Sequence, residues 1–195
     1  MKKTALFLTT AAIIAALYVV LTYFANLLGL ANMAIQVRFS EALTIIPLFT
    51  PAAIPGLFIG CIISNTIAGC NLWDIIFGSL TTLSAAALTY VIGIPFRAMI
   101  KKAESKKMKT IFGIWGTVLG SIPPILGNMF VVPLVLIYAY QMTEPIEFLR
   151  FTFPLYWGFA ITVCLGEIIS CLIFGLVVSF VMRRTGLDLK LGEVK

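Results

Sequence analysis

An all-helical bundle embedded in a membrane is the fold this sequence predicts, and three features predict it. The 195 residues are 61% apolar and only 11% charged, against about 45–50% and 25% in a soluble domain. Mean hydropathy is +1.06. The 14 Lys and Arg residues gather at the ends of long uncharged runs, so the formal charge of +6 reports orientation in a bilayer and gives no sign of nucleic acid as a partner.

The first apolar run, Ala5 to Leu28, follows Lys2 and Lys3. It exceeds the apolar stretch of about 7–15 residues in a signal peptide, and it is long enough to cross ~30 Å of hydrocarbon at about 1.5 Å per residue. The next stretch, Ala42 to Ala68, is interrupted by Pro47, Pro51 and Pro55, each of which removes a backbone donor and crowds the preceding turn. Charge decides how it runs. Arg97, Lys101, Lys102, Lys106, Lys107 and Lys109 belong on the same side as Lys2, Lys3, Arg183 and Arg184 by the positive-inside rule. An even number of crossings must therefore separate Lys3 from Arg97, and with helices near 5–28 and 74–96 the middle stretch crosses twice, over 41–50 and 53–68. Spans at 111–140, expected to be kinked or broken by Pro123, Pro124 and Pro133, and at 154–182 complete six. One transmembrane domain, 1–195, results, with both termini cytoplasmic. Its outer connections fall at 29–40, 69–73 and 141–153, the last carrying Glu144, Glu147 and Arg150.

Composition also excludes activities. Without histidine there is no Ser-His-Asp or Cys-His nucleophile pair and no His-ligated metal. The chain lacks a GxxxxGK[ST] phosphate loop, so an ATP-driven step belongs to another polypeptide. Cys61, Cys70, Cys164 and Cys171 form no CxxC and read as small hydrophobes. No nucleophile and base fall at helical spacing, so the expectation is a protein that is not an enzyme and carries neither metal nor cofactor.

Ionisable and amide groups at membrane depth usually line a pathway, a ligand site or an intramembrane pair. Arg38 and Glu41 bracket Ser40. Three residues apart, they either neutralise each other on one turn or project into an outward-facing cavity. Asn65 and Asn71 flank the outer end of the third span, and Trp73-Asp74 opens the fourth. Asp74 suits a helix cap and Trp73 an interface anchor; the same pair suits a flat, nitrogen-rich ring. Glu167 lies thirteen residues beyond Pro154, about 20 Å down a helix axis, with no cation within one turn. It is either a neutral acid bonded to a neighbouring helix or a ligand group. Asn128 follows Pro123-Pro124 and Gly127, where freed backbone groups could face a cavity. Trp157 and Tyr156 are further stacking candidates. Ala11, Ala12, Ala15 and Ala16 form two overlapping AxxxA pairs, which admit close approach of another helix.

The strings VRFSEALTIIPLFTPAAIPGLFIGCIISN and WDIIFGSLTTLSAA resemble the queuosine-precursor transporter (QueT) family, and the likeness covers essentially the whole chain. Its members are substrate-binding, or S, components of energy-coupling factor (ECF) transporters. The resemblance implies a six-helix S component in a bacterial cytoplasmic membrane that captures a 7-deazaguanine base from outside. A transmembrane coupling protein and two cytosolic ATPase subunits would drive its delivery. It also implies that Ala11, Ala12, Ala15 and Ala16 dock the coupling protein, and that the whole component topples in the membrane. A guanine-like edge offers N–H donors that a carboxylate accepts in pairs, and an aminomethyl group would favour a second carboxylate. Arg38, Glu41, Asn65, Trp73, Asp74, Asn128, Trp157 and Glu167 are therefore the substrate-binding candidates. Alternatives are an S component for another vitamin, and a self-sufficient proton-coupled carrier using Glu167.

Overall fold

The computed structural model describes residues 2–30, 37–143, 147–148, 151–152 and 154–192. Glu144 and Arg150 of the acidic outer connection lie outside them. The described residues form seven α-helices and a short hairpin: α1 (Lys2–Leu27), α2 (Ala53–Ile67), α3 (Leu72–Lys102), α4 (Lys106–Tyr138), β1 (Glu147–Phe148), β2 (Phe151–Thr152), α5 (Leu155–Glu167), α6 (Gly175–Thr185) and α7 (Leu187–Gly192). A 3-10 helix, Phe39–Leu48, precedes α2, and a π-helical segment, Ile168–Phe174, joins α5 to α6. The two-residue antiparallel pairing of β1 with β2 departs from the purely helical expectation. It falls outside the long apolar runs, where phenylalanine and threonine favour extended backbone.

Four continuous helical stretches have the length and apolarity to cross a membrane: Lys3–Leu27, Leu72–Lys102, Lys106–Tyr138 and Leu155–Thr185. Their large side chains point outward, as with Leu8, Val20, Leu88, Ile114 and Phe180, all more than 45% exposed. In water this would be an aggregating surface; in lipid it is the matched one. The chain is a multi-pass membrane protein.

The middle stretch doubles back as the charge argument predicts. A Cβ added to Gly56 would lie 2.7 Å from the Ala11 carbonyl oxygen, and one added to Gly60 would lie 2.8 Å from Tyr18 Cβ and 3.1 Å from Ala15 Cα. Contacts advancing together along both helices mean that α1 and α2 run parallel, so the segment between them returns from the far end. That segment is the 3-10 helix. Ten residues at about 2.0 Å each reach ~20 Å, where an α-helix would reach ~15 Å. It starts beside the π segment, where the Arg38 N–H donates to Ser170 Oγ at 3.2 Å. It ends at the basic end, where Arg97 donates to the Leu48 carbonyl and the Arg183 guanidinium lies 5.0 Å over the Phe49 ring.

Ser40 through Leu48 are all buried, and the segment touches α1, α2, α3, α4, α6 and the π segment. Irregular backbone at membrane depth is tolerated where protein encloses it, which is the case here. Ile45, Ile46, Leu48 and Phe49 form one core cluster with Ile14, Tyr18, Leu57 and Met182.

Of the two courses expected for the span at 111–140, kinked or broken, the break does not occur. α4 continues through Pro123, Pro124 and Pro133. Pro124 has no N–H for the Gly120 carbonyl four residues back, and Thr89 Oγ1 on α3 donates to that oxygen instead, at 2.8 Å. Further cross-helix bonds run from Thr117 Oγ1 to Ser179 Oγ at 2.7 Å and from Ser121 Oγ to the Cys171 carbonyl at 3.0 Å. α6 stops at Gly186, whose φ of 71° suits glycine best.

Since Gly56 has backbone and not a flexible side chain in its path, Gly56→Leu should destabilise the fold by about 1–3 kcal/mol. Thermal unfolding of the detergent-solubilised variant checks this, and an unchanged midpoint would refute the parallel α1–α2 contact.

Candidate functional site

The 3-10 helix carries Glu41 inward, the end of α5 carries Glu167, α4 carries Asn128, α2 carries Asn65 and the start of α3 carries Asp74. With Arg38 these six side chains line one enclosed cavity, together with Cys61, Gly78, Thr82, Val132 and Val163. Its free volume is about 30 Å³. Beyond it lies a wider vestibule of about 410 Å³, walled by Thr22, Asn26, Cys70, Leu136, Tyr140 and Met142 among others. The two share Arg38, Asn65, Asp74 and Val132 in their walls, so an inner chamber and an outer vestibule meet at those residues. Both lie at the end opposite the basic clusters.

The chamber groups are fixed by specific partners. Tyr18 on α1, 1% exposed, donates its hydroxyl to Glu41 Oε1. Asn128 Nδ2 donates to Glu167 Oε1 at 2.8 Å, and Cys171 Sγ donates to Glu167 Oε2 at 2.9 Å. Thr44 Oγ1 bonds the Glu41 carbonyl at 2.6 Å, which steadies the turn carrying the glutamate. One donor atom each from Glu41, Glu167 and Cys171 lie within 4.8 Å of one another. Two carboxylates so close repel unless a proton or a cation lies between them, so this triad is the part of the site able to hold positive charge. Glu167 is the last residue before the π segment. The change from α to π winding opens that wall, a common feature of functional sites in helices.

Asp74 is not the helix cap. Asn71 is, its side chain accepting from the Trp73 N–H at 3.0 Å, because Asp74 falls within the first helical turn. Its Oδ2 accepts from the Tyr140 hydroxyl at 3.2 Å. Burial pushes the Tyr140 phenol up to about 12, so it remains a neutral donor at the vestibule wall across the physiological range.

The two tryptophans stand apart. Trp73 is 54% exposed and stacks on Phe77 outside the bundle, ring centroids 5.9 Å apart. Trp157 is 51% exposed and meets Tyr156 edge-on. Neither lines the cavity, because one residue of offset on a helix turns a side chain by about 100° from its neighbour. The alanine stripe also divides. Ala11 and Ala15 are 7% exposed and pack on α2, whereas Ala12 and Ala16 face outward.

Sequence reasoning missed Tyr18 and Cys171. Tyr18 was legible as a phenol in mid-span of a largely aliphatic helix, where a hydroxyl needs a partner. Cys171 stands four residues after Glu167, one turn along the same face; treating all buried thiols as hydrophobes concealed its bond to the carboxylate.

Comparison with known proteins agrees with the sequence and the geometry. Residues 8–184 match the family described as the QueT transporter. The chain is 30% identical over 191 residues to the queuosine precursor transporter QueT of Lactococcus lactis subsp. cremoris (strain MG1363), covering 96% of this chain and 99% of that one. No solved structure matches. The polar cavity lies inside a lipid-facing bundle, at the end opposite the basic clusters, and the chain belongs to the QueT transporter family, whose members are transporters and not enzymes.

Proposed function

We propose that this protein is the substrate-capturing S component of an ECF-type importer, binding a 7-deazaguanine precursor of queuosine at the chamber and vestibule described above. The observation that carries the reading is the convergence of Arg38, Glu41, Asn65, Asp74, Asn128 and Glu167 on one cavity in a chain similar to a queuosine precursor transporter. The edge of a guanine-like ring presents adjacent N–H donors that Asp74 accepts at the vestibule, while Asn65, in the wall shared by vestibule and chamber, supplies an amide that reads the ring carbonyl. A vestibule of about 410 Å³ falls in the range that encloses small organic ligands.

The chain crosses a bacterial cytoplasmic membrane six times, with the 3-10 helix and α2 as the two short crossings and both termini inside. Lacking a phosphate loop, it depends on a coupling protein and two ATPase subunits for energy. The outward-facing Ala12 and Ala16 are the part of the alanine motif available to that coupling protein, because Ala11 and Ala15 are taken up by α2.

Equilibrium binding to the purified chain without partners tests capture. One of 7-aminomethyl-7-deazaguanine, 7-cyano-7-deazaguanine or queuine should bind at least tenfold more tightly than guanine, with riboflavin unbound. Binding of none of the three deazaguanines overturns the reading. Asp74→Asn should weaken the favoured ligand by about 1.5–3 kcal/mol, the range for a hydrogen bond to a charged group; unchanged affinity would remove Asp74 from the site.

Uptake tests the division of labour. Ala16→Trp should abolish ATP-dependent uptake by the assembled transporter while leaving ligand binding to the isolated chain intact, and uptake at the normal rate would exclude the outward alanine face. Accumulation by the chain alone in proteoliposomes under a pH gradient would replace the S-component reading with a proton-coupled carrier.

A further inference from the structure

The chamber is too small for a ring. At about 30 Å³ it exceeds the ~10–15 Å³ of free volume that one water needs by a factor of two or three. It suits a small polar head group and leaves any ring in the vestibule. What lines it is acidic. Chamber and vestibule together present three carboxyl groups, Glu41, Asp74 and Glu167, against one guanidinium, Arg38.

The protein supplies less hydrogen bonding than these groups can use. Glu41 is 3% exposed, and among the described residues only its Oε1 has a side-chain donor, Tyr18. Asn65, also 3% exposed, has a single long contact from its Nδ2 to Cys61 Sγ at 3.6 Å and no donor to its carbonyl oxygen among the described residues. Acceptor oxygens that line a cavity without a protein donor are open to donors from a ligand. Both residues line the chamber.

We propose that the pair Glu41 and Glu167 is a clamp for a primary ammonium group, and that it makes the site selective for a deazaguanine bearing an aminomethyl substituent over one bearing a neutral group at the same position. This rests on the capture reading above and deepens it. An ammonium presents three donors in a fan. The two carboxylates, whose nearest oxygens lie within 4.8 Å, accept two of them, and the unpartnered Asn65 carbonyl is available to the third. Tyr18, Asn128 and Cys171 are positioning residues: Tyr18 holds Oε1 of Glu41, Asn128 and Cys171 each hold one oxygen of Glu167, and the carboxylate lone pairs that remain accept from the ligand. A one-carbon linker between ammonium and ring sets the ring at the junction walled by Arg38, Asn65 and Asp74. A nitrile in the same place carries no donors and leaves two carboxylates facing each other.

The test compares 7-aminomethyl- with 7-cyano-7-deazaguanine by equilibrium binding to the full chain in detergent, with a chelator present so that no divalent ion occupies the carboxylates. The aminomethyl compound should bind wild type at least tenfold more tightly, and in Glu41→Gln and Glu167→Gln that ratio should fall to about threefold or less. The wild-type ratio is read first and needs no variant, so it decides the matter even where a variant fails to fold. Both compounds binding wild type within threefold of each other overturns the clamp and leaves deazaguanine capture standing. Neither compound binding removes the clamp together with the reading on which it rests.

Discussion

The constraint on which this structure depends is that a ten-residue stretch carrying a carboxylate must pass through the middle of a bundle with no water to satisfy it. The 3-10 helix Phe39–Leu48 meets that constraint by being enclosed. Three of the elements that surround it contribute fixed contacts: Ser170 at its start, Tyr18 against its glutamate, Arg97 on its last carbonyl. The longer rise of the 3-10 form lets so short a segment link the cavity end to the basic end. The surrounding helices then have to stand close to a backbone that cannot lengthen further, and glycines supply the clearance. A Cβ at Gly120 would lie 2.9 Å from Leu48 Cδ2, and one at Gly93 would lie 2.9 Å from the Leu48 carbonyl oxygen.

The site lies where regular winding is lost. Glu41 is on 3-10 backbone, Glu167 is the last α-helical residue before a π segment, and Asn128 follows the two prolines of α4 by one turn. A uniform α-helix directs its side chains around the axis at a fixed pitch, and a change of pitch re-aims one turn relative to the next. Two such changes, in the 3-10 helix and at the π segment, turn Glu41 and Glu167 inward, and Asn128 joins them from the continuous α4, while the lipid-facing surface stays apolar. The energetic cost of each irregularity is offset locally, most plainly at Pro124, where Thr89 replaces the missing donor to Gly120.

Much of this was legible in the sequence because charge and length are strong signals in a membrane. Basic clusters at Lys101–Lys109 and Arg183–Arg184 required the middle stretch to double back, and the parallel contact of α1 with α2 is that reversal. Rare polar residues in apolar runs were equally informative, since six of the eight candidates line one cavity. The form of the short helix was not legible. Over ten residues a period of 3.0 and one of 3.6 differ by less than a turn, and a segment buried on every side has no polar face to reveal either. That Trp73 and Trp157 stand outside the cavity was not legible for a related reason. Aromatic type argues for stacking and for an interface anchor alike, and only the rotation of the helix separates them. The unbroken course of α4 was hidden because the donor that rescues Gly120 sits 31 positions away along the chain.

The alanine stripe on α1 ties these elements into one body. Ala11 and Ala15 press on Gly56 and Gly60 with no room for a further methyl group, and Tyr18, one turn beyond, reaches the chamber through Glu41. The same helix turns Ala12 and Ala16 outward. A partner that engages that outer face acts on a helix that cannot slide along α2, because steps of side-chain size between close-packed helices meet discrete barriers. It also cannot rotate without breaking the Tyr18–Glu41 bond. The bundle therefore responds to such a partner as a rigid unit, with α1, α2 and the 3-10 helix moving together. Arg97 and Arg183 close the basic end of the 3-10 segment, which leaves the chamber and vestibule together at the opposite end of that body.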